Sequence, residues 1–341
     1  MRFRLVFAAL LVPGMLTAQS RWFRGNTHAH TLNSDGDSPP DAVARWYRTH
    51  GYQFTFITDH EYNTDADALT RMVGGAGRFL VLPAQEVTQR TADATHPDGV
   101  RQAHVNALGV RTLVRPMGER NIANTTIAAT YARNIAAIRA AGGVPQVNHP
   151  NFRWSVQLAD MLDLPDSTMF ELWNGHPDVF NLGGADTLGR AALSTEALWD
   201  SLLTRGKLLF AVADDDSHSF KPEDADNPNL TRPGRGWVMV RADTLELGAI
   251  LTSLRRGDFY ASTGVTLKRY DATTTAIDVE IAPTGDIRYL VEFVGSGGRV
   301  LAKSTTHRGH YDITGSEGYV RVRISDSAGR RAWTQPVMLR R

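Results

Sequence analysis

Eleven histidines are spread along the 341-residue chain, and their placement is the first clue to chemistry. Six stand at or just beyond the C-terminal end of a short apolar run, in Asn26-Thr27-His28-Ala29-His30, Thr58-Asp59-His60, Asn148-His149-Pro150, Asn174-Gly175-His176 and Asp214-Asp215-Asp216-Ser217-His218. Gln85-Glu86 closes another such run, His104 lies in a further one beside Asn106, and Ser34-Asp35-Gly36 follows the first. Residues two apart in an extended chain project to the same side. His28 with His30, and Asp216 with His218, can therefore each grip one cation. Imidazole nitrogens mixed with carboxylates suit Zn²⁺, Mn²⁺ or Fe rather than Mg²⁺ or Ca²⁺, which prefer oxygen shells. The candidate ligands are His28, His30, Asp35, His60, Glu86, His104, His149, Asp216 and His218. Zinc takes about four, so two or three divalent transition metal ions sharing a bridging carboxylate are expected. No single motif here is specific; the conjunction carries the signal.

These ligands can act together only if distant stretches converge. From residue 22 to about 257, short apolar runs alternate with longer amphipathic ones. The runs predict strands over 22–27, 54–58, 79–83, 104–108, 144–147, 169–173 and 208–212. Several are continuously apolar, as in strands covered on both faces. Helices are expected between them, one opening at Pro39-Pro40-Asp41 and stopping at Gly51, others over 125–141, 194–205 and 244–256. Alternating strand and helix argues for an α/β fold with parallel strands. In a parallel α/β barrel the strand ends open on one face, where such folds place their chemistry. Residues 258–341 differ. Period-two runs at 276–281, 289–294, 319–325 and 334–339, separated by Gly- and Asp-rich turns, predict a small antiparallel β-sandwich.

Composition narrows the options. There is no cysteine, which excludes disulfides, zinc–thiolate sites, iron–sulfur clusters and thiol catalysis. A formal net charge of +1 gives no reason to expect nucleic acid or an anionic membrane as partner, which leaves a small-molecule substrate. Arg2, Arg4, an apolar run over 5–16 and the small Thr17-Ala18 have the layout of a cleaved secretory signal peptide over 1–19, implying a periplasmic or secreted protein. The apolar run is shorter than the ~20 residues a membrane span needs. The expected organisation is therefore a signal peptide over 1–19, an α/β barrel domain over 20–257 and a β domain over 258–341.

The motifs His28-Ala29-His30, Ser34-Asp35-Gly36, Thr58-Asp59-His60, Glu86, His104, Asn148-His149-Pro150 and Asp216-Ser217-His218 occur in the order of the PHP (polymerase and histidinol phosphatase) superfamily, which residues 22–218 resemble. The resemblance implies a distorted (β/α)7 TIM-like barrel carrying a trinuclear metal centre. Glu171-Leu172-Trp173-Asn174-Gly175, then Phe259-Tyr260-Ala261-Ser262-Thr263-Gly264 and the terminal β domain, look like the secreted CehA/McbA branch, which includes carbamate hydrolases. Carried over motif by motif, one ion falls to His28, His30, Glu86 and Asp216. A second falls to Asp35, His60 and His218, and a third to Glu86, His104 and His149, with Glu86 bridging. Some members have a histidine where Asp35 stands. Asp216 is preferred over Asp214 and Asp215 because it shares the strand face of His218. Asp59 is expected to orient an imidazole.

Clustered divalent ions acidify bound water and stabilise negative charge on a carbonyl or phosphoryl oxygen, so the expected reaction is hydrolysis, with Glu86, Asp216 and His218 as catalytic residues. No Gly-x-Ser-x-Gly motif is present. For the substrate two readings stand. Trp154 and Trp173 could line an aryl pocket for an ester, carbamate or amide, beside Asn174 and His176. Arg232, Arg235 and Lys221 could instead bind the phosphate of a phosphoester. A third reading is a non-catalytic binding protein whose β domain recognises a glycan. His96, in the long loop expected over 89–102, could reach the mouth of the site; His50, His307 and His310 are expected to be bystanders.

Overall fold

The computed structural model describes residues 21–116, 122–185, 189, 191–224 and 227–339. The expected signal peptide lies outside them. The fold is mixed α/β, followed by antiparallel sheets.

Seven strands surround the site: β1 (Arg21–Asn26), β2 (Phe54–Ile57), β3 (Leu80–Ala92), β4 (Val100–Leu108), β5 (Val144–Val147), β6 (Thr168–Asn174) and β7 (Leu209–Asp214). Their apolar side chains point both ways, as a two-sided layer requires. Phe54 and Phe56 join Leu82, Met169 and Val212 in one core, whereas Ile57 and Val81 pack outward against α1 (Pro40–Thr49) and α2 (Ala66–Val73). Full burial of one such side chain is worth roughly 1.5–3 kcal/mol. The helices start and stop on local signals. Pro40 opens α1, and Asp65 caps α2 by accepting from Ala68 N. Thr126 does the same for α3 (Ile127–Ala140), and Ser194 for α4 (Thr195–Thr204). The α3 residues Ile127, Tyr131, Ile135 and Ile138 form the buried stripe that holds it against β4 and β5.

Two features correct the expected parallel, closed barrel. First, β4 runs antiparallel to both neighbours. Residues 89–102, expected as a long loop, are mostly hairpin, paired from Ala84↔Leu108 to Ala92↔Val100. The connection left, residues 93–99, is too short for the crossover of a dozen or so residues that a parallel pair demands. A turn forms instead, with Asp93 N donating to Gly99 O and Gly99 at φ 66°.

Second, the barrel does not close. β1, β2 and β3 are parallel, as are β5, β6 and β7, but among the described residues no ladder joins β7 to β1. They meet past their ends, at the single bridge Ala29–Ser217, where His30 N donates to Ser217 O. The free edge of β1 is taken by β8 (Trp237–Ala242), antiparallel from Arg21↔Ala242 to Gly25↔Val238. Gly25 is needed there, since a Cβ would stand 2.0 Å from the Phe54 ring.

From β8 the sheet continues through β9 (Phe259–Ser262) into the C-terminal region. There β10 (Leu267–Ala272), β11 (Ala276–Ile281) and β14 (Arg308–Asp312) form a second sheet. It shares a core, including Ile277, Val279, Phe293 and Val322, with β12 (Tyr289–Gly295), β15 (Tyr319–Asp326) and β16 (Arg331–Thr334); β13 (Arg299–Ser304) edges the main sheet. The strand expected over 334–339 splits into β16 and the short Val337–Met338 around Pro336, which has no N–H for a ladder. The fully buried Arg321 of β15 ties this region to α4. It donates from Nε and Nη2 to both carboxylate oxygens of Asp200 (2.9 and 2.8 Å) and from Nη2 to Glu196 (2.9 Å).

Candidate metal centre

The strand ends bring all nine expected ligands into one basin. At its floor, His28 Nε2 lies 3.0 Å from His30 Nε2, 3.3 Å from Glu86 Oε2 and 3.1 Å from Asp216 Oδ1. His30 Nε2 is 3.3 Å from both carboxylates. The spacings of Glu86 Oε2 and Asp216 Oδ1 from the two imidazoles are near the roughly 3.3 Å that separates neighbouring donor atoms on one transition-metal ion with bonds of about 2.0–2.1 Å. The other oxygen of Glu86 faces a second group, with Oε1 3.0 Å from His104 Nδ1 and 3.4 Å from His149 Nε2. A third group stands toward solvent. Asp35 Oδ2 is 3.3 Å from His60 Nε2, and Asp35 Oδ1 is 3.4 Å from both His218 Nε2 and His30 Nδ1. The floor residues are buried, whereas Asp35 is 50% exposed, so the centre opens on its third group. Several buried His, Asp and Glu groups could thus hold more than one metal ion.

His104 reaches the basin by a different route from the others. It sits within the antiparallel β4, opposite Thr88 in register, while Asn106 stands opposite Glu86. Two ligands occupy backbone positions unusual for side-chain-bearing residues, His149 at φ 27° and Asp216 at φ 48°. Strain of this kind costs on the order of 1–3 kcal/mol and persists where the surroundings over-determine it.

Electrostatics favour charge in the basin. Burial alone would raise the Glu86 carboxyl, but the charges of His60, His28 and His104 outweigh it and hold it well below the usual range. Asp216 is depressed likewise: burial opposes, and His28, His30 and His218 prevail. Burial would lower His30, yet Asp216 and Glu86 lift it to about 10. His104, where burial wins, drops to about 4. A buried mixture of acids and imidazoles in contact is the donor set a cation can replace protons in.

Behind the ligands stands a residue that the sequence reading quoted without giving it a role. Glu171 of β6 is fully buried. It accepts from His28 Nδ1 (2.6 Å), His149 N (2.6 Å), Asn174 Nδ2 (2.7 Å) and Gln146 Nε2 (3.2 Å). It thereby fixes the ring of one ligand and the backbone of another. The available signal was one acid inside the otherwise apolar run Met169-Phe170-Glu171-Leu172-Trp173. Asp59, expected in that role, does something else. It accepts from Thr31 N and Oγ1, Ser34 Oγ and Thr64 Oγ1, bracing the turn that presents Asp35. For His60, it is Thr88 Oγ1 that lies 2.5 Å from Nδ1.

Of the three consecutive aspartates only Asp216 enters the basin floor. Asp214 accepts from Thr27 and Gln146, and Asp215 from Arg235 N, Gly236 N and the Tyr47 hydroxyl. Asn174 donates to Asp216 as well as to Glu171.

The basin opens into a cleft of about 480 Å³ whose walls include Phe152, His176, Arg90 and Arg153. Trp154 and Arg232 do not line it: Trp154 stacks on Phe180 at 4.5 Å, and the Arg232 guanidinium donates to Lys221 O. Trp173 and Arg235 line a neighbouring cleft instead. His96 is buried at the hairpin tip, its Nε2 bonded to Arg153 O. Arg90 and Arg153 were not among the expected site residues, because the segment that carries Arg90 read as a loop.

No family model matches the chain, and no curated protein does. Solved structures similar to it include a two-domain protein of Bacteroides vulgatus described as containing a predicted PHP-like metal-dependent phosphoesterase, at 15% identity over 90% of each chain (TM-score 0.49). A protein of Bifidobacterium adolescentis described as a 'putative metal-dependent phosphoesterase' shares 18% identity over 61% of this chain and 92% of its own (TM-score 0.36). An amidohydrolase of Chromobacterium violaceum shares 15% identity over 61% of this chain and 93% of its own (TM-score 0.34).

Proposed function

We propose that the protein is a metal-dependent hydrolase of the PHP type, close to the CehA/McbA branch, that cleaves an ester, carbamate or amide bond in a small molecule. The observation that carries this reading is Glu86, whose two oxygens face two separate groups of imidazoles, 3.3 Å from His28 and His30 on one side and 3.0 Å from His104 on the other. A carboxylate so placed serves a multinuclear centre of Zn, Mn or Fe better than a single ion. Bound ions would supply Lewis acidity and a water acidified toward neutral pH.

The chain's own residues do the rest. Glu86, Asp216 and His218 are the catalytic residues in this reading, holding the ions; Glu86 sets the spacing between groups. Asp35, His60 and His218, on the open side, leave the centre accessible from the cleft. Asp178 N donates to His176 Nδ1, and burial lowers the pKa of that ring. The neutral ring therefore carries its N–H on Nε2, from which it can donate a hydrogen bond to a substrate oxygen. The α/β region over 20–257 would be the hydrolase and the remainder its companion. Export through the 1–19 segment to the periplasm or beyond completes the reading, with neither nucleic acid nor membrane as partner.

A second reading, phosphoester hydrolysis at the same centre, is favoured by Arg90 and Arg153 in the cleft wall. Arg90 is exposed at the cleft wall and makes no ion pair among the described residues, which suits an anionic substrate. The test is elemental analysis of the purified mature protein, then parallel assays on p-nitrophenyl acetate, an aryl carbamate and p-nitrophenyl phosphate. Two or three equivalents of transition metal with ester or carbamate turnover is the expected result. Turnover of the phosphate compound alone would transfer the function to the second reading. Less than one equivalent after reconstitution would leave a binding protein.

A further inference from the structure

Next to the metal cleft lies another of about 660 Å³, and His176 lines both. Its walls come from two distant parts of the chain. Trp173 lies in β6 and Val179 and Phe180 follow it, while Thr263 and the 328–331 turn belong to the C-terminal sheet. The lining is apolar and open. Phe180 is 44% exposed although its ring is held by stacking on Trp154. Leu182 beside it is 71% exposed. Apolar side chains held this way at a concave surface gain when a ligand covers them, at about 25 cal/mol per Å².

The cleft also has an unmatched cation. Arg330 is paired with Asp326 at 2.6 Å, and Arg331 leans on Glu196 at 3.8 Å. Arg235 makes no ion pair among the described residues. Its Nη1 donates to Gly175 O (3.0 Å) and its backbone N to Asp215 (2.7 Å), so the guanidinium is fixed in place beside the cleft. A positioned guanidinium with spare donors selects a carboxylate or similar anion.

We propose that this second cleft binds the non-reacting part of the substrate, and that this part is an apolar group of about aryl size carrying a carboxylate. The inference rests on the hydrolase reading, since the shared His176 wall is what connects the two clefts. It gives the C-terminal sheet a role in substrate selection, through Thr263 and the 328–331 turn.

The test separates binding from turnover. The metal-reconstituted protein is titrated calorimetrically with 4-phenylbutyrate and with 4-phenylbutanol, neither of which has a bond to hydrolyse. The acid is expected to bind about tenfold tighter than the alcohol. Arg235→Gln should abolish that preference and Arg235→Lys should restore part of it, which excludes misfolding as the cause. Phe180→Ala should weaken both ligands several-fold. Equal affinity of the wild type for acid and alcohol would overturn the proposal. So would a preference that survives in Arg235→Gln, because the carboxylate would then be held by the metal ions. Turnover of the ester panel is scored on its own: hydrolysis without the acid preference removes this cleft and keeps the enzyme, and the preference without hydrolysis does the reverse.

Discussion

Replacing Glu171 by glutamine tests whether the centre is held in shape from behind. The change keeps the shape of the side chain and removes its charge. Glu171 uses one oxygen for His28 and Gln146 and the other for His149 N and Asn174. A glutamine amide must turn its NH₂ toward one of these two pairs, and every partner in both pairs is a donor. Two hydrogen bonds are lost whichever way it turns, and two buried donors are left facing a third. Bonds to a charged acceptor are worth about 1.5–3 kcal/mol each. Relaxation recovers part of the loss, so about 2–3 kcal/mol is expected to appear as misplacement of His28 and His149. That corresponds to roughly 30–150-fold weaker metal binding. The assay is competition with a chromophoric chelator on apo protein refilled with Zn²⁺ or Mn²⁺, with elemental analysis for stoichiometry. Affinity within threefold of wild type at unchanged stoichiometry would refute the idea that Glu171 positions ligands.

Arg321→Met should lower stability by about 3–5 kcal/mol, because Asp200 is then left buried without its partner; the urea midpoint reads it. The same network predicts acid sensitivity. Burial pushes the Glu196 carboxyl up, but Arg321 and Arg323 pull it below its ordinary 4.5. Its contribution is thus complete above about pH 4.5 and fades as pH falls through the lowered value, so the wild-type melting temperature should drop there more than that of Arg321→Met. Stripping the metals with a chelator should lower the melting temperature of the protein, and refilling to about 100 times Kd should return about 2.7 kcal/mol; an unchanged melt would mean that no ion is bound by the folded state.

Much of the site could be read from the chain because ligands at strand ends need only local information, a short apolar run and the residue that follows it. His28, His30, His60, His149 and His218 all lie where that pattern puts them. What could not be read depends on partners far away in sequence. The direction of β4 is invisible to a period-two pattern, and only the brevity of residues 93–99 hints at it. Asp59 and Glu171 are both single acids near strand ends, yet one braces a turn and the other a ligand; which does which is decided by Thr31 and Thr64 in one case and His28 in the other. Barrel closure failed as an expectation for a similar reason, since the edge of β1 is claimed by β8, more than two hundred residues later.

That claim on β1 bears on how the molecule can be divided. A truncation after residue 257 would retain β8 but remove β9, its partner from Trp237↔Ser262 to Val240↔Phe259. The exposed rim would carry Trp237, Val238 and Val240, a sticky template for neighbouring molecules to add strands to. Engineers wishing to transplant the half that carries the basin should carry the whole ribbon along, or else blunt that rim with lysines.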